Sequence, residues 1–217
     1  VNLDWFPMDK STTNVTLVND VFGFTGFEAV YFPSGIYTIN GTIQNPKSLD
    51  IYTDGVVTID AKDSASAIAL QVGEINTTLI ETLTSSFSRG SKTYTFVSHS
   101  LVSGDIVCII DNSNGSFSAY RDAYKKGEYL KVFSVSGNSV TFEKPVSYDY
   151  TSGSLIHKCI LNEFSINGNI QVIAPTINNS ISVKFTCIKD SVFTNIKIVN
   201  GSFTCLSLTK CFNVSVD

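Results

Sequence analysis

Phe185-Thr186-Cys187-Ile188 can be laid over Phe203-Thr204-Cys205-Leu206, and in the same frame Asn195-Ile196-Lys197-Ile198 falls on Asn213-Val214-Ser215-Val216. Both matches have a spacing of 18 residues, with no insertion between them. A period of about twenty residues, built from short β-type runs, marks a solenoid whose coils stack on one another. On this reading Phe stands over Phe, Cys over Cys and aliphatic over aliphatic in interior columns. Asn over Asn forms a ladder in the turns.

The same grammar of strand, turn and strand occurs near the other end of the chain. Glu28 to Ile39 reads as a strand, a Pro33-Ser34-Gly35 turn and a second strand from Ile36. Leu49 to Asp60 repeats it around Asp54-Gly55. Upstream, Asp9-Lys10-Ser11-Thr12-Thr13 offers N-cap residues, and Val15, Val18 and Phe22 lie at helical spacing. A short amphipathic helix there would cover the open end of a solenoid; the competing reading is an irregular arm, since Thr and Val are weak helix formers.

Between about Asn76 and His157 the runs are longer and alternate: Thr93–Val97, Asp105–Ile110 and Tyr129–Val135. The turn Ser136-Gly137-Asn138-Ser139 leads into Val140–Lys144 and predicts a hairpin.

Val30-Tyr31-Phe32-Pro33-Ser34-Gly35-Ile36-Tyr37-Thr38-Ile39 resembles the first coil of the pectate-lyase-like right-handed parallel β-helix superfamily. Asp54-Gly55 with Thr58-Ile59-Asp60, and Phe164–Asn169, are similar to its later rungs. Within it the sequence is most similar to bacteriophage tailspikes and appendages. Ser103-Gly104-Asp105-Ile106-Val107 resembles the small antiparallel β-domain inserted early in several of them. The resemblance implies an all-β chain: a right-handed parallel β-helix with a short N-terminal capping helix and an inserted antiparallel β-domain. The expected boundaries are residues 1–75 for the cap and first coils, 76–157 for the insert and 158–217 for the resumed rungs. The chain reads as part of a longer protein, because Asp217 falls within a repeat.

Composition narrows the function classes. Charged residues make up 16% of the 217, below the usual quarter, so Ser, Thr and Asn carry much of the surface. A net charge of −4 and no Lys/Arg cluster argue against nucleic acid as partner. No apolar run is long enough to span a membrane. Two histidines, His99 and His157, and five cysteines without a CxxC pair give little material for a metal site or a Ser-His-Asp triad. Free interior thiols are therefore expected, and no metal or cofactor.

The resemblance implies a phage tailspike-like protein that recognises host-surface polysaccharide and cleaves it, as glycosidase or lyase, in the full-length protein. It also implies a homotrimer, on the virion tail or extracellular. The alternatives are a non-catalytic adhesin or structural spike, and a secreted pectinase-like enzyme. Glycoside hydrolysis needs paired carboxylates. Glu163 and Asp190 are the candidate acids in the resumed rungs, beside the terminal Asp217, with an ordinary solvated role for each as the competing reading. Asp54, before Gly55, reads as a turn residue. Residues 117–129 form the most charged and aromatic loop, where Tyr120, Arg121, Asp122 and Tyr124 are candidate glycan contacts. The competing reading packs these tyrosines against the body of the protein. Asn-x-Ser/Thr sequons at Asn14, Asn40, Asn76, Asn114, Asn178, Asn200 and Asn213 read as turn and outer-face residues, with glycan acceptors as the other possibility.

Overall fold

The computed structural model describes residues 1–3, 11, 15–113, 115–121, 123–201 and 203–216. Of the expected N-cap residues 9–13, only Ser11 lies among them. The chain divides into two compact units, residues 1–75 with 161–217, and residues 76–160.

The first unit opens with α1 (Val15–Gly23), whose Val18, Val21 and Phe22 are buried on one face. It is followed by β1 (Ala29–Phe32), β2 (Gly35–Thr38), β3 (Ile43–Asn45), β4 (Asp50–Asp60) and β5 (Ile68–Val72). The second unit contributes β6 (Thr77–Thr82), β7 (Thr93–Thr95), β8 (Ile106–Asp111), β9 (Lys126–Ser136), β10 (Ser139–Phe142) and β11 (Leu155–Cys159). The chain then returns to the first unit with β12 (Ile166–Ile173), β13 (Ile181–Thr186), β14 (Lys189–Phe193), β15 (Ile196–Val199), β16 (Thr204–Thr209) and β17 (Phe212–Val216).

All strand pairing within the first unit's sheets is parallel. One sheet runs β1-β4-β12-β15 with β2 also on β4, a second β16-β13-β5-β3, and a third pairs β14 with β17. Successive passes of the chain therefore lay strands on the same sheets in the same order. Side chains alternate in and out along each strand. Tyr37, Ile59, Val172 and Ile198 form one inward column, and Ile43, Leu70, Val183 and Leu206 another. Each such side chain fully buried contributes about 1.5–3 kcal/mol. Phe164, Phe185 and Phe193 pack together, with the rings of Phe185 and Phe193 stacked at 4.2 Å.

Helix α1 closes one edge of this unit. The Asn19 side chain donates to the Thr42 carbonyl at 3.0 Å and accepts the Gln44 N–H at 2.7 Å. A single amide thus satisfies backbone groups on an edge strand that would otherwise offer a template for pairing. Phe22 stacks on Phe32 at 6.1 Å, tying the helix to the core.

The expected 18-residue period is not the one that stacks. Val183 pairs with Leu206 and Phe185 with Leu208, and farther along Lys189 pairs with Phe212 and Phe193 with Val216. These are spacings of 23 residues, while Ile170 on Ile196 is a spacing of 26. Phe185 is fully buried, whereas Phe203 is 69% exposed and Cys205 is exposed. The Phe-over-Phe and Cys-over-Cys columns do not exist. What repeats is backbone conformation. The left-handed residues Cys187 (φ 55°) and Lys210 (φ 54°) recur 23 apart, as do Asp190 (φ 46°) and Asn213 (φ 52°).

The second unit is an antiparallel sheet in the order β6-β11-β8-β9-β10-β7. The predicted hairpin is present: Ser136 pairs with Ser139 across Gly137-Asn138, and Gly137 takes a φ of 56°. Glycine at the first central position suits the tight turns that match strand twist. The core holds Phe87, Phe96, Phe142 and Tyr150 beside Val107, Ile109, Leu130, Val132, Val140 and Ile156. The buried Tyr150 hydroxyl has a partner, as most buried polar groups do, whereas the buried Ser154 hydroxyl has none among the described residues. Glu128 accepts the Ser147 N–H at 2.8 Å and the Tyr150 hydroxyl at 3.1 Å. Burial, together with the Glu128 charge, pushes the Tyr150 hydroxyl well above the ordinary tyrosine range. Asp105 accepts the Val102 N–H at 2.8 Å and binds the Lys158 ammonium at 2.7 Å, which gives the Gly104-Asp105 turn its role.

Candidate functional site

In the first unit the outward face of β4, β12 and β15 gathers polar side chains in register. Inward Val57 and Ile59 leave Val56 and Asp60 on the opposite face, with Thr58 between them buried by its neighbours. Asn169 pairs with Val56, Gln171 with Thr58, and Gln171 also with Lys197 on the far side. The Ile170 N–H donates to the Asn195 carbonyl at 3.1 Å, which sets Asn195 beside Asn169. Val56, Asn169, Ile170, Gln171, Asn195, Ile196 and Lys197 line one shallow groove. The side chains of Asn169, Gln171, Asn195 and Lys197 make no hydrogen bond or ion pair with any described residue. An aromatic and amide column lies farther along the same sheet, where Tyr31 pairs with Tyr52 and Tyr52 with Asn167.

A bulge separates these two sets. β12 pairs with Tyr52 at Asn167 and with Val56 at Asn169, so Thr53, Asp54 and Gly55 face only Gly168. Gly168 has a φ of 146°, and a Cβ there would meet Thr53 Oγ1 at 1.9 Å. Thr53 Oγ1 accepts the Asn169 N–H at 3.1 Å, filling the gap in the ladder. Asp54 is not in the turn of its own that the sequence predicts but at the bulge inside β4, where it accepts the Ser34 N–H from the neighbouring β1–β2 turn at 2.9 Å. Hydrogen bonds from the Tyr31 hydroxyl and then the Ser34 N–H hold its carboxyl below the usual carboxylate range.

The candidate acids lie in this unit. Glu163 is exposed, with Oε1 3.6 Å from Lys189 Nζ. Asp190 lies in β14 with a left-handed backbone and accepts a hydrogen bond from Asn213 Nδ2 at 2.7 Å. Its partner in the next pass is Asn213, not Leu208 as an 18-residue frame requires. Each acid is thus engaged by a different group, and Asp217 lies outside the described residues.

The candidate loop belongs to the second unit. Tyr120 is 98% exposed, and Phe117 and Tyr124 are about half exposed. The Arg121 guanidinium donates to the Tyr124 hydroxyl at 2.7 Å, with its carbon 5.1 Å from the centre of that ring. The loop therefore presents one fully solvated aromatic ring beside an ordered Arg-Tyr pair; packing against the body does not account for Tyr120. Asp122 lies outside the described residues, as do the sequon residues Asn14 and Asn114.

None of the five cysteines is in a disulfide: Cys108, Cys159 and Cys187 are buried, Cys211 half-buried and Cys205 exposed. Burial raises the Cys211 thiol above its ordinary range. Among the described residues, no three His, Cys, Asp or Glu side chains converge on a metal-sized site. No described helix is long and apolar enough to cross a membrane.

The fold is all-β, with stacked parallel strands in one unit and an antiparallel sheet in the other. Residues 70–158 match the family described as tailspike protein-like, Ig-like domain. Three solved structures are similar over nearly the whole chain. The tailspike protein gp49 from Pseudomonas phage LKA1 has a TM-score of 0.65 and 24% identity, covering 94% of this chain and 41% of its own. The tailspike gp61 of Pseudomonas phage phi297 has a TM-score of 0.67 and 18% identity, covering 92% and 41%. The Gp54 tailspike of Acinetobacter baumannii bacteriophage AP22, in complex with A. baumannii capsular saccharide, has a TM-score of 0.75 and 23% identity, covering 100% and 36%. The chain thus has a tailspike-like fold and spans about two fifths of these structures' length. No curated protein sequence matches it.

Proposed function

We propose that this chain is part of a tailspike-type phage protein that binds bacterial surface polysaccharide along the outward face of β4, β12 and β15. The observation that carries the reading is the groove, where four polar side chains without a partner among the described residues stand beside exposed Val56. An extended, amide-rich strip with an aromatic column suits a ligand offering hydroxyls on its edges and C–H groups on its faces. The similarity to a tailspike in complex with a capsular saccharide supports the same ligand class.

The reading includes the finer architecture, a right-handed parallel β-helix formed by the first unit, interrupted in sequence by an inserted Ig-like domain. It includes homotrimeric assembly on the virion tail, and a secondary glycan contact at Tyr120, Arg121 and Tyr124, together with Asp122. Polysaccharide cleavage belongs to the full-length protein, with Glu163 and Asp190 as the acids to test in this part. Arrays of capsular and O-antigen glycans test binding, and release of reducing ends or unsaturated uronate absorbance tests cleavage. Absence of binding to every bacterial glycan sinks the reading.

Binding without cleavage is the second reading. The engagement of Glu163 by Lys189 and of Asp190 by Asn213 favours it, since each acid already has a structural partner. Under it, Glu163→Gln and Asp190→Asn leave glycan binding unchanged, and no product forms with either protein.

A further inference from the structure

We infer that the β12–β15 groove is a subsite for an acidic sugar, with Lys197 receiving its carboxylate; this rests on the polysaccharide reading above. The charges on this outward face are unevenly committed. Asp54 is held by Tyr31 and Ser34. Asp60 accepts the Lys62 N–H at 3.2 Å and lies 4.0 Å from Lys62 Nζ. Lys197 is exposed, lines the groove and has no ionic or hydrogen-bonding partner among the described residues.

Its surroundings complete a carboxylate site. Gln171 is its direct cross-strand neighbour on the adjacent parallel strand, about 4.8 Å away across the sheet. Asn195, in a left-handed conformation just before β15, lines the same groove, and Asn169 stands two residues before Gln171 on the same face of β12. One carboxylate oxygen takes the ammonium, and the amide N–H groups reach the other oxygen and adjacent ring hydroxyls. Val56 offers an apolar surface to the ring's C–H face. A neutral sugar in the same place would cover the ammonium without compensating its charge.

The experiment titrates the 217-residue chain with acidic bacterial capsular oligosaccharides selected on the array, each in native and carboxyl-reduced form. Carboxyl reduction is expected to weaken binding about tenfold or more, the worth of one charge-assisted hydrogen bond. Lys197→Gln should produce the same loss on the native glycan, Lys197→Arg should retain most binding, and Lys197→Gln should leave the reduced form unaffected. Lys197 is exposed, so unchanged thermal midpoints serve as the folding control. If native and reduced forms bind equally, while Asn169→Ala with Gln171→Ala abolishes both, the acidic-sugar inference is overturned and the polysaccharide reading stands. If no glycan binds, or binding ignores every groove variant, both fall.

Discussion

The two units use the same β-forming residues but fix strand register by different means. In the second, Gly137-Asn138 dictates that Ser136 faces Ser139, and four residues of sequence suffice to determine a hairpin. In the first, no tight turn links the paired strands. Val183 meets Leu206 only because the whole intervening pass closes on itself, and passes of 23 and 26 residues occur side by side. Local register is written in residue identity, whereas stacked register is written in backbone conformation.

The largest effects should separate the two stacking frames. Phe185→Ala empties a fully buried site against Phe164 and Phe193 and should cost about 3–5 kcal/mol in chemical denaturation. Phe203→Ala removes an exposed ring and should cost under about 0.5 kcal/mol. Comparable losses would restore the 18-residue column. In the second unit, Glu128→Ala strands the Ser147 N–H and the buried Tyr150 hydroxyl, for a loss of about 1–3 kcal/mol. Gly137→Ala forces a side chain into a positive φ and should cost about 1 kcal/mol, with the local hairpin amides exchanging faster. An unaltered exchange pattern would mean the turn does not set the register.

The smallest effect is a pH dependence. Asp54 has a folded-state pKa below its ordinary value, so its contribution is fully present above the ordinary carboxylate range. That contribution is lost as pH falls through the depressed value. Asp54→Asn should flatten this acid-side decline in stability measured between neutral and strongly acidic pH. An unchanged profile would assign the decline to other groups, such as Asp111. In Asp111 burial opposes ionisation, but hydrogen bonds from Ser113 and the neighbouring Lys126 outweigh it and hold the carboxyl low.

This contrast explains what could be read from the chain. The all-β class, α1 and the β9–β10 hairpin follow from local patterns: helical spacing of Val15, Val18 and Phe22, and a Gly-Asn turn between alternating runs. The stacking frame did not, because Phe-Thr-Cys recurs by identity at positions of opposite burial. The 18-residue frame places Asn195-Ile196-Lys197-Ile198 against Asn213-Val214-Ser215-Val216, whereas its neighbour in the sheet is Asn169-Ile170-Gln171-Val172. That second match is as visible in the sequence, and it would have brought Asn169, Gln171 and Lys197 to one face. The loop candidates were legible as composition, and Arg121 and Tyr124 do meet. Single carboxylates such as Glu163 and Asp190 carry no pattern by which their partners Lys189 and Asn213 could have been foreseen.

The most direct test compares the two units as glycan carriers. Asn169→Ala with Gln171→Ala, and separately Tyr120→Ala, are titrated by calorimetry with an array-selected capsular oligosaccharide. The stacked face is expected to dominate, with the paired groove substitution weakening binding at least tenfold, about 1.4 kcal/mol, and Tyr120→Ala by only a few-fold. Loss of binding with Tyr120→Ala while the groove variant binds normally would contradict the account and move recognition to the antiparallel unit.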